Sequence, residues 1–224
     1  MKLLVVSVFL VLSVVPLVYG AATVRDFFVS ELFTKRTLAT NPWKAAFSTR
    51  LTSGYVPFVF TTNRSPWAPL QIFIPSACYT QPPAPFNDCD GFGVINYNQL
   101  NVPEYYPQAA AILPGQLNIH PGRNGQYTHI VFTAPVNGSY KIEADVYANH
   151  YRMSTDMHLL INNVEWWAAD VLGNDGAMFY VPHRISTQVT LKRGAKIDFA
   201  VGYGPNQDWD SDWTGARIHI QATF

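Results

Sequence analysis

The sequence is poor in charge, with 15 basic and 15 acidic residues among 224. This balance leaves no basic surface of the kind that binding to nucleic acid or to an anionic membrane requires. Glutamate is scarce, and the G-x-S-x-G motif of α/β-hydrolases is absent. A glycosidase needs two carboxylates that face each other across a cleft. Folding could bring such a pair together, so a polysaccharide hydrolase stays an alternative.

Cysteine occurs only twice, as Cys78 and Cys89 in the segment CYTQPPAPFNDC. The spacing is not C-x-x-C, which argues against a zinc site. If the chain reaches an oxidising compartment, the two residues are predicted to form a disulfide that closes this proline-rich loop.

Long apolar runs are absent except at the N-terminus, where Lys2 precedes an apolar run from Leu3 to Val18. This pattern predicts a secretory signal peptide over residues 1–20, and hence a secreted, extracellular protein. A single N-terminal membrane anchor is the alternative. After removal of the signal no membrane span is expected, and residues 21–224 are predicted to form a single domain. The sequence ends at Phe224 without a sorting tail, which favours free secretion.

Alternation of apolar and polar residues dominates the chain from residue 127 onward. Segments such as YKIEADVY and ARIHIQATF place every second residue on one face, which is typical of half-buried antiparallel strands. Asn137-Gly138 predicts a hairpin, Asn162-Asn163 predicts a tight turn, and a further turn is predicted at Arg193-Gly194. The pattern predicts an all-β fold, a single antiparallel β-sandwich that is jelly-roll-like. Only residues 23–33 have helix-like spacing, enough for one or two turns.

Four segments carry a family resemblance: NPWKAAFS (41–48), LNIHPGRNGQYTHIVFTAPVNGSYKIEADVY (117–147), TDMHLLINN (155–163) and LKRGAKIDFAVGYGPNQDWDSDWTGARIHI (191–220). In these landmarks and their order the chain resembles a secreted β-sandwich module of bacterial exported proteins, many of which carry a sorting tail. It also resembles carbohydrate-binding domains. The resemblance implies a β-sandwich and, less specifically, a carbohydrate ligand.

One loop concentrates acidic and indole groups, in the segment NQDWDSDW: Asn206, Asp208, Trp209, Asp210, Asp212 and Trp213. Three interpretations stay open. The oxygens of the three aspartates could bind calcium, although the spacing is not that of an EF-hand. Alternatively, the polar groups could hydrogen-bond to sugar hydroxyls while an indole packs on the sugar ring. Finally, the aspartates could cap turns while an indole packs on the edge of the sandwich.

Other residues are weaker candidates for a site. Trp166 and Trp167 lie on opposite strand faces, so one is expected in the core and the other exposed. His129 and His219 are expected to be exposed strand histidines rather than metal ligands. The Asn-x-Ser sequence occurs at Asn63 and Asn137, which are predicted glycosylation sites if the host is a eukaryote.

The sequence therefore predicts a secreted, non-catalytic, lectin-like protein that binds a glycan or polysaccharide, with calcium as the one cofactor considered. A structural protein of an extracellular matrix, wall or coat is the first alternative, and a polysaccharide hydrolase is the second.

Overall fold

The computed structural model describes residues 22–35, 38–62, 71–75, 93–106, 110–173 and 182–224. Almost all of the regular structure in these residues is strand. The strands are β1 (Val24–Phe28), β2 (Trp43–Ser48), β3 (Val56–Thr62), β4 (Gln71–Pro75), β5 (Val94–Tyr97), β6 (Glu104–Tyr106), β7 (Ala110–Ile112), β8 (Leu117–His120), β9 (Tyr127–Thr133), β10 (Gly138–Ala148), β11 (Ser154–Ile161), β12 (Val164–Leu172), β13 (His183–Leu191), β14 (Lys196–Gly202) and β15 (Thr214–Thr223). One short helix, α1 (Glu31–Thr34), follows β1.

Thirteen of the strands form two antiparallel sheets that pack face to face, while β6 and β7 pair with each other in a separate two-stranded sheet. In the first sheet, β3, β4, β5, β8, β15, β10 and β13 are neighbours in that order, and β1 also pairs with β15. In the second sheet the order is β12, β11, β14, β9, β2 and β3. Strand β3 joins the two sheets, since Val56 and Pro57 pair with β2 whereas Phe58–Thr62 pair with β4. The predicted all-β, antiparallel β-sandwich is confirmed.

The core lies between the sheets, where the alternating apolar residues face inward. Phe132 of the second sheet contacts Tyr140 and Phe27 of the first, with ring centroids 6.0 and 5.0 Å apart. The inward residues of β14 and β15 are almost completely buried, as alternation predicts. They are Ile197, Phe199, Val201, Ala216, Ile218, Ile220 and Ala222.

Turn signals gave mixed results. Asn162 and Asn163 have φ values of 52° and 65°, so the predicted tight turn is confirmed, and it joins the paired strands β11 and β12. The hairpin predicted at Asn137-Gly138 is wrong, because β9 and β10 do not pair. The turn predicted at Arg193-Gly194 is confirmed, with a φ of 86° at Gly194, although the strands that it joins do not pair either. At each of these turns the chain instead crosses from one sheet to the other, a connection expected of jelly-roll folds. Gly138 allows close approach to β15, because a Cβ there would lie 2.6 Å from the Thr223 carbonyl oxygen.

The N-terminal segment also differs from its prediction. Residues 24–28 form a strand because they pair with β15, and only one helical turn follows. With four residues, this helix is far below the roughly 20 needed to cross a bilayer. No helix in the described part of the chain has the length and apolar character of a membrane span.

Candidate functional site

The loop over residues 203–213, here called the acidic loop, joins β14 to β15 at one end of the sandwich. Two other connections meet it there. The Asn149 N–H, after β10, donates to the Trp213 carbonyl oxygen at 2.9 Å. His120, at the end of β8, contacts both indoles of the loop. The acidic loop is therefore fixed against the first sheet by residues far away in the sequence.

The exposed half of the loop is shaped by its own side chains. Asn206 Oδ1 accepts a hydrogen bond from the Asp208 N–H at 3.0 Å, and Asp208 Oδ1 accepts one from the Asp210 N–H at 3.1 Å. Such side-chain turns are a common role of Asn and Asp. They support the turn-capping interpretation for Asn206 and Asp208, yet both residues and Asp210 are solvent-exposed, so their carboxylate and amide groups can also meet a ligand.

Asp212 differs from the other two aspartates because it is completely buried. Its Oδ1 accepts a hydrogen bond from the Ser154 N–H at 2.9 Å, which ties the loop to the start of β11. Burial, together with the nearby carboxylates of Asp208, Asp156 and Asp210, raises the pKa of Asp212 to about 8. Its Oδ2 is buried and has no hydrogen-bond partner among the described residues. Asp212 is therefore mostly neutral at pH 7 and fixes the loop in place.

The two indoles lie around His120. This histidine is buried, and its Nδ1 donates to the Pro121 carbonyl oxygen at 2.8 Å. Burial lowers the pKa of His120 to about 4, so the ring is neutral at pH 7. Its ring centroid lies 4.7 Å from that of Trp213 and 5.8 Å from that of Trp209, in edge-on contacts. The neutral imidazole thus supports both indoles.

Trp209 has a second neighbour and stays partly exposed. The Arg123 guanidinium carbon lies 5.5 Å from the centre of its ring. A guanidinium at this distance from an indole is attracted by the ring electrons. With His120 on one side and Arg123 on another, Trp209 is held in one orientation beside the exposed Asp208 and Asp210.

A chain of three ionisable groups continues from the loop onto the outer face of the second sheet. Asp156 Oδ1 accepts from the Gly204 N–H at 3.0 Å, and its Oδ2 lies 2.9 Å from His158 Nε2. His158 Nδ1 is 2.7 Å from Glu165 Oε2. Burial opposes ionisation of both Asp156 and His158, yet their hydrogen bond lowers the pKa of Asp156 and raises that of His158. The start of the acidic loop is thus anchored by an ion pair.

Gly202 is required for this anchoring. A Cβ at Gly202 would lie 2.5 Å from Asp156 Oδ1 and from the Tyr127 ring. Because that separation is shorter than any normal contact, a larger residue would push Asp156 away from Gly204.

Four residues that contact or anchor the acidic loop were not predicted from the sequence: His120, Arg123, Asp156 and His158. The signals that could have indicated them are the turn-rich segment HPGRNG and the alternating Asp156 and His158.

A second polar cluster lies on the outer face of the same sheet. Ser48 Oγ is 2.7 Å from His129 Nε2, and His129 Nδ1 is 3.0 Å from Asp198 Oδ2. These are the residue types of a nucleophilic triad. All three are almost completely buried, and the Ser48 hydroxyl also donates to the Arg50 carbonyl oxygen. The cluster therefore links β2, β9 and β14 and presents no reactive hydroxyl to solvent.

The same cluster corrects a prediction. His129 is not an exposed strand histidine, because its hydrogen bonds to Ser48 and Asp198 make burial favourable. His219 lies in the other sheet, is partly exposed and hydrogen-bonds to Asp26 at 2.8 Å. The prediction for the tryptophan pair is confirmed, since Trp166 is 53% exposed and Trp167 packs on the core.

Calcium binding by Asp208, Asp210 and Asp212 stays a prediction. Within the described ranges, no group of three or more His, Cys, Asp or Glu residues is placed to hold a metal ion. Asp212 faces inward while Asp208 and Asp210 are exposed, so the loop as it stands does not bring the three carboxylates into one coordination sphere.

Three further predictions concern covalent modification. Cys78, Cys89 and Asn63 lie outside the described residues. Asn137 is exposed, and its Oδ1 accepts a hydrogen bond from the Arg193 N–H at 2.8 Å. The disulfide and both glycosylation sites therefore stay predictions.

Comparisons with known proteins give structural similarities only. No family model matches the sequence, and no curated protein matches it significantly. The chain is similar to a family 35 carbohydrate-binding module from Clostridium thermocellum, at 16% identity and a TM-score of 0.35, over 57% of this chain and 90% of that one. It is also similar to the C-terminal family 6 module of a laminarinase from Zobellia galactanivorans, at 14% identity and a TM-score of 0.32, over 57% and 98% of the two chains. An adhesin domain of Lys-gingipain from Porphyromonas gingivalis matches at 10% identity and a TM-score of 0.31, over 49% and 75%.

Proposed function

We propose that the chain is a secreted, non-catalytic protein that binds a glycan or polysaccharide through the acidic loop. The observation that carries the proposal is the fixed, partly exposed indole of Trp209 beside the exposed Asp208 and Asp210. Trp213 supports this indole from within the loop through their shared neighbour, His120.

The chemistry of these groups suits a sugar. A pyranose ring has an apolar face that packs on an aromatic ring, and hydroxyl groups that donate to carboxylate and amide oxygens. Asn206 and Asp208 each use one oxygen within the loop, while the groups themselves remain exposed. Because Trp209 and the loop backbone are already fixed, a ligand loses little affinity to ordering of the protein.

Calcium assistance is a second element of the proposal. Its support is the unpartnered, buried Asp212 Oδ2 in a neighbourhood of three other carboxylates. Cations that prefer oxygen ligands are attracted to such a neighbourhood. Binding would require the Asp208 and Asp210 side chains to turn toward Asp212.

A glycan array tests the saccharide proposal. The purified protein is expected to bind a subset of neutral glycans, and Trp209→Ala is expected to lower that affinity at least tenfold, the loss typical of one stacked aromatic ring. Trp166→Ala is the matched control, since it removes an exposed indole from β12, away from the loop. Absence of binding at high micromolar protein, with and without calcium, would contradict the proposal, as would equal losses in the two variants.

A further inference from the structure

A cavity of about 540 Å³ opens on the outer face of the first sheet, away from the acidic loop. Strands β1, β10, β13 and β15 line it, together with the turn between β7 and β8. Its size falls within the range of small-ligand sites, about 300–1,000 Å³. The side chains that define its chemistry are Phe28, Glu143, Asp145, Arg184, Arg217 and His219.

Strand register places opposite charges next to each other in this cavity. Asp145 on the central strand β10 lies opposite Arg217 of β15 and Arg184 of β13. Two residues earlier, Glu143 lies opposite His219 of β15 on the same face of the sheet. The cavity floor therefore carries two carboxylates. Asp145 is flanked by Arg184 and Arg217 from the neighbouring strands. Glu143 is flanked by His219 of β15 and by Lys141 of its own strand, whose Nζ lies 2.7 Å from Glu143 Oε1.

Contacts within the protein hold the lining side chains in position. Arg184 Nε lies 3.3 Å from Asp145 Oδ1, and Arg217 Nη2 donates to the Pro114 carbonyl oxygen at 3.0 Å. His219 Nε2 is 2.8 Å from Asp26 Oδ1. The Phe28 ring stacks on the His219 ring, with centroids 4.6 Å apart and planes 9° from parallel. Half of the Phe28 side chain is still exposed.

The charge balance selects a class of ligand. Each guanidinium and carboxylate already has a counter-charge or a hydrogen-bond partner in the protein, so an ionic ligand would have to displace one of them. A neutral polyhydroxylated ligand can instead donate to the carboxylates and accept from the guanidinium groups at the same time. Phe28 adds an apolar surface for a ring. We infer that this cavity is a second binding site, specific for a neutral saccharide.

The two sites are separate. From Trp213 to Arg217, the cavity residue on β15 that lies nearest to the loop in sequence, the chain runs for four residues, which corresponds to roughly 13 Å at about 3.3 Å per residue. One polysaccharide chain, or two chains of a wall, could therefore occupy both sites and gain avidity. The inference rests on the proposed function for its ligand class alone, because none of its residues belongs to the acidic loop.

Isothermal titration with separate neutral hexasaccharides (cello-, laminari-, manno- and xylohexaose) tests the inference, with an acidic oligogalacturonate as a further arm. The wild-type protein is expected to bind at least one neutral hexasaccharide at two sites per chain. Phe28→Ala and Arg184→Ala are each expected to remove one site or weaken it at least tenfold. The Arg184 side chain is 79% exposed, so its removal leaves the fold intact even if Phe28→Ala does not fold. Arg193→Ala, at an exposed turn, is the matched control.

The outcomes separate this inference from the proposed function. If both cavity variants bind like the wild type and Trp209→Ala loses one site, the proposal of a second site is wrong and the proposal for the acidic loop stands. If the cavity variants lose saccharide binding and Trp209→Ala binds like the wild type, the proposal for the acidic loop is wrong and the proposal for the cavity stands. Preference of the cavity for oligogalacturonate would overturn the assignment to a neutral ligand, and no binding to any sugar would overturn both proposals.

Discussion

Asp212 and His120 are the two buried residues of the site whose pKa values depart furthest from their usual range. The pKa of Asp212 is raised to about 8, so the folded protein holds a proton that the unfolded chain releases above about pH 4. Its contribution to stability is therefore lost as the pH rises toward and through 8. The pKa of His120 is lowered to about 4, so the protein loses stability as the pH falls from about 6.5 toward 4.

Replacing Asp212 with asparagine tests this pH dependence. Asparagine keeps the oxygen that accepts from the Ser154 N–H but carries no charge. At pH 8.5 we expect Asp212→Asn to raise the free energy of unfolding by several kcal/mol, because the pKa of Asp212 is raised from about 4 to about 8 and each unit of pKa corresponds to about 1.4 kcal/mol. Urea unfolding at pH 8.5 measures this free energy. At that pH His120 is neutral in both the folded and the unfolded state. Asp170→Asn, which removes an exposed carboxylate on β12 that does not act on Asp212, should change little, and an equal effect of both substitutions would rule out the buried proton.

At the scale of elements, local sequence patterns predicted the positions of the strands better than they predicted which strands pair. Alternation in β10, β14 and β15 correctly identified the buried face, and Asn162-Asn163 correctly identified a tight turn. Asn137-Gly138 is an equally good turn sequence, yet β9 and β10 lie in different sheets. A turn sequence determines how the backbone bends, whereas the partner of a strand depends on packing against strands that are distant in the sequence.

The candidate site shows the same difference between local features, which the sequence reveals, and long-range contacts, which it does not. Trp209 and Trp213 could be selected from the sequence because indole and acidic groups are concentrated in one loop. His120 and Arg123 lie in the turn-rich segment HPGRNG, which marks them as candidates, but nothing local indicates that the end of β8 approaches the end of β14. Burial of His129 was missed for a similar reason, because its partners Ser48 and Asp198 come from two other strands.

Removing two exposed carboxylates tests the role of the acidic loop as an element. Asp208→Ala with Asp210→Ala is expected to lower stability by no more than about 1 kcal/mol without calcium, since neither side chain is buried. Saccharide binding should be lost. If calcium binds, the wild type should melt at a higher temperature in calcium than in EDTA, and the double variant should not respond.

The control for the loop experiment is Asp170→Ala, which removes an exposed carboxylate from β12. It should bind sugar and respond to calcium like the wild type. If the double variant also binds sugar like the wild type and melts like it in both calcium and EDTA, the acidic loop is only a solvated turn.

At the scale of the whole molecule, the two sheets serve as a rigid support for sites at two places. The β14–β15 connection lies at one end of the sandwich, where it is held by β8, β10 and β11. The cavity lies on an outer sheet face, where register alone sets the spacing of its charges. Near-zero net charge suits the proposed neutral ligand, because long-range electrostatic attraction contributes nothing to the binding of an uncharged molecule.

The most direct test of carbohydrate binding at the acidic loop is a titration followed through the tryptophan indole N–H signals in ¹H–¹⁵N NMR spectra. The ligand is the neutral oligosaccharide that binds best in the array, and single Trp→Phe substitutions assign the signals. We predict that the Trp209 signal shifts with the saturation curve of the ligand, while those of the exposed Trp166 and the buried Trp43 stay in place. A bound oligosaccharide that leaves the Trp209 signal unmoved, or that shifts the Trp166 signal instead, would contradict the assignment of the site.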